Sequence, residues 1–479
     1  VSAWVQVFTL DLAVIALAGV VLLADAFLSL PGRALGWLVT AFLLFVLGAS
    51  FFVDVSGVVP HGAYVSDGWV LFFKRLFLVA GVLGTLGSID WLERHTPKRQ
   101  AEYYAMLLFS LTGMMLLPGA RDWVLLVVLF ELMGIPLAVL SAWAKTDAVD
   151  DPQRLGAEAG LKLFVTSALS SVLTLFGLGL IVGLTGTTSI VAVAPGLLSP
   201  IGLLGLVLVI SGLGFKVGAA PFHMWVPDTY EGAPTPFVAF LSVAPKAAGL
   251  AVLSLVLMVA FGAHRDTWAP VVGALAGLSM VIGNFFAIPQ SDVRRLLGFS
   301  GVAQLGYALI ALCAATQQSV AMTLFFIVTY VFTNLGAFLV VHAAADDSKG
   351  HSLTLLAGLS RRSPWLGAAL LVFLLSLAGI PFVLGFWAKL FVFMAAWKAG
   401  LTWLVALGVA LAVLGLFYYL TVARSTFMAD GTNPAPVRPA FGVSAAIALC
   451  LLAVVGLGLW PTPLVDEAAR AAASFVPGR

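Results

Sequence analysis

Five ionisable residues stand in stretches of this sequence that have no wet face. Glu131 lies midway along DWVLLVVLFELMGIPLAVLSAW, Lys162 near the start of the apolar run 157–183, and Lys216 inside IGLLGLVLVISGLGFKVGAAP. Lys246 sits in FVAFLSVAPKAAGLAVLSLVLMV and Lys389 in SLAGIPFVLGFWAKLFVFMAAW. A charge buried in hydrocarbon costs several kcal/mol unless it faces water or a partner, so such residues mark ion or proton paths. Lysine and glutamate can both change charge at depth. Desolvation disfavours their ionised forms and an opposite charge nearby favours them. One glutamate cannot neutralise four lysines, so a single structural ion pair does not account for the set. Lys162 is the weakest member: Glu158 precedes it by four residues, the favourable orientation for a helix pair, and a structural role stays open there.

The elements that hold these residues follow from composition. The chain has 479 residues, 61% hydrophobic and only 10% charged, where a soluble domain carries about a quarter charged residues. Apolar runs long enough for the roughly 30 Å hydrocarbon core follow one another along the whole length. Lipid satisfies no backbone hydrogen bonds, so the spans are helical. The fold class is an all-α polytopic membrane protein with about fourteen spans. They fall near 8–28, 34–53, 70–91, 102–119, 122–143, 157–183, 200–229, 235–262, 268–288, 293–314, 318–343, 364–398, 402–428 and 439–460. No basic region or small-residue cleavage site precedes the first span, which is therefore read as a crossing rather than a signal peptide.

Two spans are expected to be broken. Pro221, Pro227, Pro234 and Pro236 interrupt the stretch after Lys216, while Gly379, Pro381 and Gly385 precede Lys389. Broken helices at corresponding places in two halves point to an inverted repeat with a site near the midplane. The division is 1–101 as a three-helix segment, 102–262 and 263–430 as two inverted five-helix repeats, and 431–479 as a last helix and tail. Pro245, directly before Lys246, interrupts the ladder once more. Ser300, Gln304 and Tyr307 on the tenth span, with Tyr330, Thr333 and Asn334 on the eleventh, are spaced to line a water path from Lys246 to Lys389, although each alone is an ordinary helix–helix hydrogen-bonding residue.

Most loop Lys and Arg residues, from Arg33 through Arg94, Lys98, Arg99, Lys145, Arg154, Arg294, Arg295, Lys349, Arg361, Arg362 and Arg424 to Arg438, fall on one side, which the positive-inside rule makes cytoplasmic. Both termini then face away from the cytoplasm. Lys74 and Arg75 are expected to snorkel to the opposite surface. The stretch 345–363 reads as a cytoplasmic loop with a short amphipathic helix. Cys313 and Cys450 are isolated apolar-span cysteines. Gly212, Gly214 and Gly218 miss GxGxxG by one position and follow no strand. No HExxH, CxxC or basic–aromatic patch is present, so metal, iron–sulfur, dinucleotide and nucleic-acid sites are not expected in this chain.

At this point the residues resemble a known family. RDWVLLVVLFELMGIPLAVLSAW, GLGFKVGAAPFHMWVPDTYEGAPTPFVAFLSVAPKAAGL, SDVRRLLGFSGVAQLGYALI and LAGIPFVLGFWAKLFVF look like the antiporter-like membrane subunits of respiratory complex I, and most like subunit N. The resemblance implies a pairing of Glu131 with the broken-helix Lys216, a sixth-helix role for Lys162, a central connecting role for Lys246, and a second half-channel at Lys389. It also implies proton translocation in an NADH-quinone oxidoreductase of a bacterial inner membrane. The partners would be other antiporter-like and small subunits, and FMN, iron–sulfur clusters and quinone would sit on those partners. Two departures stand out: GIPF replaces the commoner GIPP at the second break, which predicts a shallower kink, and Gln304 occupies a position where relatives often carry histidine, so it can relay but not titrate. Two other readings stay open: a subunit of a multi-component cation/proton antiporter, and a passive membrane scaffold.

Overall fold

The computed structural model describes residues 3–28, 32–143, 155–191, 199–344, 352–430 and 435–475. Lys145, Arg154, Lys349 and the tail Arg479 lie outside them, as does the first part of the 345–363 loop. In chain order the helices are α1 (Ala3–Leu28), α2 (Gly32–Ala49), α3 (Gly68–His95), α4 (Gln100–Leu116), α5 (Trp123–Ser141) and α6 (Leu155–Thr185). The first broken span is α7 (Pro200–Val217) with α8 (Trp225–Gly232), followed by α9 (Thr235–Leu241) and α10 (Ala244–Leu255). Next come α11 (Arg265–Ala287), α12 (Val293–Ala314), α13 (Gln317–Ala344) and the single turn α14 (Leu359–Arg362). The second broken span is α15 (Pro364–Ala378) with α16 (Leu384–Lys398); α17 (Thr402–Met428), α18 (Phe441–Leu459) and α19 (Thr462–Phe475) complete the fold. The only sheet among the described residues is a two-stranded hairpin, β1 (Gly57–Val58) and β2 (Val65–Ser66).

Among the described residues, 12 helical stretches are long and apolar enough to cross a membrane. The α4 helix has 17 residues, and α15 and α16 have 15 each because a break divides the span expected over 364–398. An all-α polytopic membrane protein is what the sequence requires and what the chain forms.

Helix starts are set by side-chain oxygens that take up otherwise orphaned N–H groups. Asp67 accepts from Val70 N, Asp122 from Val124 and Leu125 N, and Asp292 from Arg294 and Arg295 N. The core lies along α12 and α13, which are buried almost throughout, whereas α6 turns Leu161, Phe164, Val165, Leu169 and Val172 outward. An outward apolar face on a long helix suits hydrocarbon or a neighbouring helix.

Three expectations need correction. Lys74 does not snorkel: it is wholly enclosed and bonded to Asp11 on α1 at 2.5 Å, which adds two buried charges to the set. Arg75 bonds Glu467 of α19 and the Ser50 carbonyl instead of reaching outward alone. The last helix is followed by a further amphipathic helix, α19, which packs Ala468, Ala471, Ala472 and Phe475 inward, with Phe475 stacked on Trp69 at 4.0 Å. Boundaries also differ: α2 stops at Ala49, and the span read over 235–262 is interrupted between Leu241 and Ala244, with Pro245 in the first turn of α10. There its missing N–H removes no bond that the first turn could make.

Candidate functional site

Both broken spans end their first half in the same way. Gly218, with φ 75°, closes α7, and Gly379, with φ 86°, closes α15; each takes the left-handed conformation that a side chain would oppose. After Gly379 the chain turns through Phe382, itself at φ 75°, so GIPF makes a full break. Each glycine also admits a lysine. A Cβ at Gly379 would come within 2.8 Å of Lys389 Cδ, and one at Gly218 within 3.8 Å of Lys246 Cε.

Lys389 uses the break directly. Its Nζ donates to the carbonyls of Leu377 at 2.8 Å and Ala378 at 3.1 Å, and lies 4.7 Å from the centre of the Tyr307 ring. These carbonyls are the last of α15, left without intrahelical donors and carrying the negative end of the helix dipole. On one side the lysine borders a cavity of about 10 Å³ lined by Gln304, Thr329, Tyr330, Thr333 and Ser376, about the space of one water. On the other it borders an apolar crevice of about 250 Å³ between α16 and α17.

Lys246 is enclosed beside the first break. Its Nζ has no hydrogen-bond partner and lies 5.4 Å and 5.8 Å from the Tyr230 and Tyr330 rings. A side chain on Gly301 would approach Lys246 Nζ to 2.8 Å and Tyr330 Oη to 2.7 Å. Aromatic faces attract an ammonium but accept no proton, so this lysine is held without being fixed.

Between the two lysines the expected polar residues meet, with additions. Gln304 Nε2 donates to the Leu377 carbonyl, the acceptor shared with Lys389, at 2.8 Å and to Tyr419 Oη at 3.1 Å. Ser300 Oγ is 2.5 Å from the same Tyr419 hydroxyl. Thr333 Oγ1 pairs with Ser376 Oγ, which accepts from Gly385 N at the start of α16. Tyr307 Oη accepts from Asn284, which in turn accepts from Tyr418. Asn334 stands apart: its amide donates to Ser242 at the α9–α10 interruption. Tyr418, Tyr419, Asn284 and Ser376 were not among the sequence-derived candidates.

Glu131 and Lys216 come together without touching. Ser171 Oγ donates to Glu131 Oε1 at 2.5 Å and accepts from Lys216 Nζ at 3.4 Å, while Ser167 Oγ accepts from the same ammonium at 2.8 Å. The pair is therefore bridged by a hydroxyl on α6 rather than closed as a direct ion pair. Lys162 belongs to another cluster, half-exposed, with Glu158 at 2.6 Å and Asp228 at 2.7 Å. Arg295 completes it through Asp228 at 2.8 Å and Glu231 at 2.6 Å, tying α6, α8 and α12 together.

This fold and this series of buried lysines at helix breaks define an antiporter-like ion-translocating membrane protein. Residues 120–415 match the family described as NADH:quinone oxidoreductase/Mrp antiporter, transmembrane. NADH-quinone oxidoreductase subunit N of Moorella thermoacetica is 39% identical over 450 residues, 92% of this chain and 93% of that protein. The subunit N of Desulforamulus reducens is 37% identical over 93% of each. Among solved structures, a chain of respiratory complex I from Thermus thermophilus with bound aureothin superposes with a TM-score of 0.82 at 31% identity, covering 96% of this chain and 99% of that one. A chain of the Mrp complex from a Dietzia species shares the fold with a TM-score of 0.86 at 20% identity. The chain belongs to the NADH:quinone oxidoreductase/Mrp antiporter family, among its subunit N members.

Proposed function

We propose that this chain is a proton-translocating membrane subunit of a bacterial NADH-quinone oxidoreductase, in which redox energy released on partner subunits moves protons through the buried Glu/Lys series. The observation that carries the reading is the polar chain from Ser300, next to the Gly301 that packs on Lys246, through Tyr419 and Gln304 to the Leu377 carbonyl shared with Lys389, set across a broken helix in a chain that matches subunit N relatives over nine-tenths of its length. Glu131, acting through Ser171, controls how readily Lys216 holds a proton, because a nearby carboxylate favours the ammonium and its withdrawal disfavours it. Lys246 is the hand-over point, with Ser300, Gln304, Tyr330 and Thr333 lining the route and Tyr307 packing on its far end. Lys389 is the terminal store. Lys162 positions α6 against α8 at the entrance, and Asn334 braces the α9–α10 interruption. FMN, iron–sulfur clusters and quinone sit on partner subunits. Its termini face away from the cytoplasm, and its two halves, 102–262 and 263–430, act as inverted repeats around the midplane.

Purification of the tagged chain from its native membrane tests the assignment. Co-purification of a flavin and iron–sulfur arm, with NADH-driven proton uptake by inside-out vesicles, is expected. Recovery of small membrane subunits alone, with sodium-dependent exchange and no NADH oxidation, would replace the reading by a cation/proton antiporter. Full pumping after loss of the buried lysines would reduce the chain to a scaffold.

A further inference from the structure

The Asp11–Lys74 pair lies outside both five-helix repeats and outside the lysine series. Helices α1 and α3 start at the same face, and the two side chains meet a few turns inside it. Lys74 Nζ binds Asp11 Oδ2 at 2.5 Å and the Val7 carbonyl at 3.4 Å, and the two side chains are 0% and 2% exposed. The hairpin segment carrying β1 and β2 folds over them. Tyr64 packs its ring 4.8 Å from Phe8 and 5.8 Å from Lys74 Nζ, close enough to Asp11 to interact with it electrostatically. The hairpin is tied to the start of α5: Arg121 N donates to the Ala63 carbonyl at 2.8 Å, and the Arg121 guanidinium lies 3.8 Å from Asp67. Arg121 is followed within the same chain by α5, the helix of Glu131.

A purely structural ion pair in a dry interior would have its remaining lone pairs satisfied, since each orphaned polar group costs about 1–3 kcal/mol. Here two such atoms are left at one place. Asp11 Oδ1 and Tyr64 Oη are buried without hydrogen-bond partners. Asp67, at the outer edge of the same cluster, has its carboxyl raised above the usual range by burial, and it remains 22% exposed. Of the other charged groups on α3, Arg75 pairs with Glu467 on a different part of its surface, and Asp90, paired with Arg33, lies with Glu93, Arg94 and His95 toward the opposite end of the helix.

We propose that Asp11 and Lys74 form a proton-binding site, loaded and emptied by way of Asp67, beside Tyr64, at the face where α1 and α3 begin. Loading moves a proton from the Asp67 carboxyl to Asp11 Oδ1 through an intervening water that passes beside the Tyr64 hydroxyl, since neither carboxylate is hydrogen-bonded to that hydroxyl. Only O–H bonds form and break, no electrons are exchanged, and Asp67 is reprotonated from water. The neutral Asp11 carboxyl keeps its Oδ2 contact with the Lys74 ammonium, and the site passes from net zero to net positive. Emptying is the reverse. The orphaned Asp11 Oδ1 is the atom that the added proton occupies. Binding at this site does not require that the lysine series pumps, so the two ideas can fail separately.

The test is a pH-induced infrared difference spectrum of the assembled complex in its membrane. A protonated-carboxyl C=O band is expected that vanishes in Asp11→Asn, shifts in frequency in Asp11→Glu, persists in Glu131→Gln, and titrates about one pH unit away in Tyr64→Phe. Spectra of wild type and Asp11→Asn that coincide would overturn the proposal. If Asp11→Asn does not assemble, Asp11→Glu and Tyr64→Phe decide it, because a band that neither changes is not that of Asp11. A double variant, Asp11→Asn with Lys74→Met, that takes up as many protons as wild type would likewise show the pair to be only a structural tie.

Discussion

Replacing Lys389 by glutamine separates what that lysine holds together from what it stores. Its ammonium donates to two carbonyls at the end of α15, at 2.8 Å and 3.1 Å. Hydrogen bonds from a charged donor contribute about 1.5–3 kcal/mol each, or about 3–6 kcal/mol for the two. Expelling one proton against a membrane potential of about 150 mV takes about 3.5 kcal/mol, at 2.3 kcal/mol per 100 mV. Losing one carbonyl contact falls short of that amount and losing both spans it, so discharge is expected to accompany movement of Lys389 away from both carbonyls, into the small cavity or the crevice beside it. A glutamine amide can still donate to the α15 carbonyls but cannot take or release a proton. Lys389→Gln is expected to assemble and to keep NADH oxidation with an artificial acceptor, while proton uptake by inside-out vesicles falls at least tenfold. The ceiling is about 300-fold, the rate equivalent of 3.5 kcal/mol. Lys389→Met should behave alike with weaker assembly, and Lys389→Glu should recover part of the activity because a carboxyl titrates, though the same carbonyls repel its ionised form. Wild-type pumping in an assembled Lys389→Gln complex would refute the reasoning.

The buried lysines were legible in the sequence because charge inside a 20-residue apolar run is costly wherever it points. The breaks were legible because Pro221 and Gly379 interrupt helices by backbone chemistry alone. What stayed hidden depends on packing between distant segments. Lys74 lies close enough to its helix start to be read as snorkelling; only the hairpin laid over it, with Tyr64 as its cover, makes it a buried partner of Asp11. Asp11 itself stood in plain view in VFTLDLAVIAL, a lone carboxylate in an apolar run. Tyr418 and Tyr419 carry no spacing signal within their apolar span, and only the approach of α17 to α12 shows that Tyr419 joins Ser300 to Gln304. Ser167 and Ser171 lie four residues apart on α6, a visible signal for one polar face, but that the face meets Lys216 follows from the packing of α6 on α7. The α19 helix repeats small and apolar residues at helical spacing, yet it is too polar to register in a search for membrane crossings.

Three further outcomes follow from the same geometry. Lys246→Arg should be nearly as damaging to proton uptake as Lys246→Ala, since guanidinium does not deprotonate; an arginine variant with most of its activity would make Lys246 an electrostatic anchor. Ser171→Ala should uncouple Glu131 from Lys216, so that adding Glu131→Gln to it costs little more pumping; fully additive losses would show that the serine is no bridge. The two break glycines separate backbone strain from lysine displacement. Gly218→Ala and Gly379→Ala both force alanine into the left-handed region, at about 1–2 kcal/mol each, and should lower the thermal stability of the extracted complex by similar amounts. Only at residue 379 does the new methyl meet a lysine closely, 2.8 Å from Lys389 Cδ against 3.8 Å from Lys246 Cε at residue 218. Gly379→Ala should therefore lose several-fold more proton uptake than Gly218→Ala at matched stability. Equal losses in the two variants would mean that the breaks matter as kinks and that Lys389 does not need its place against the end of α15.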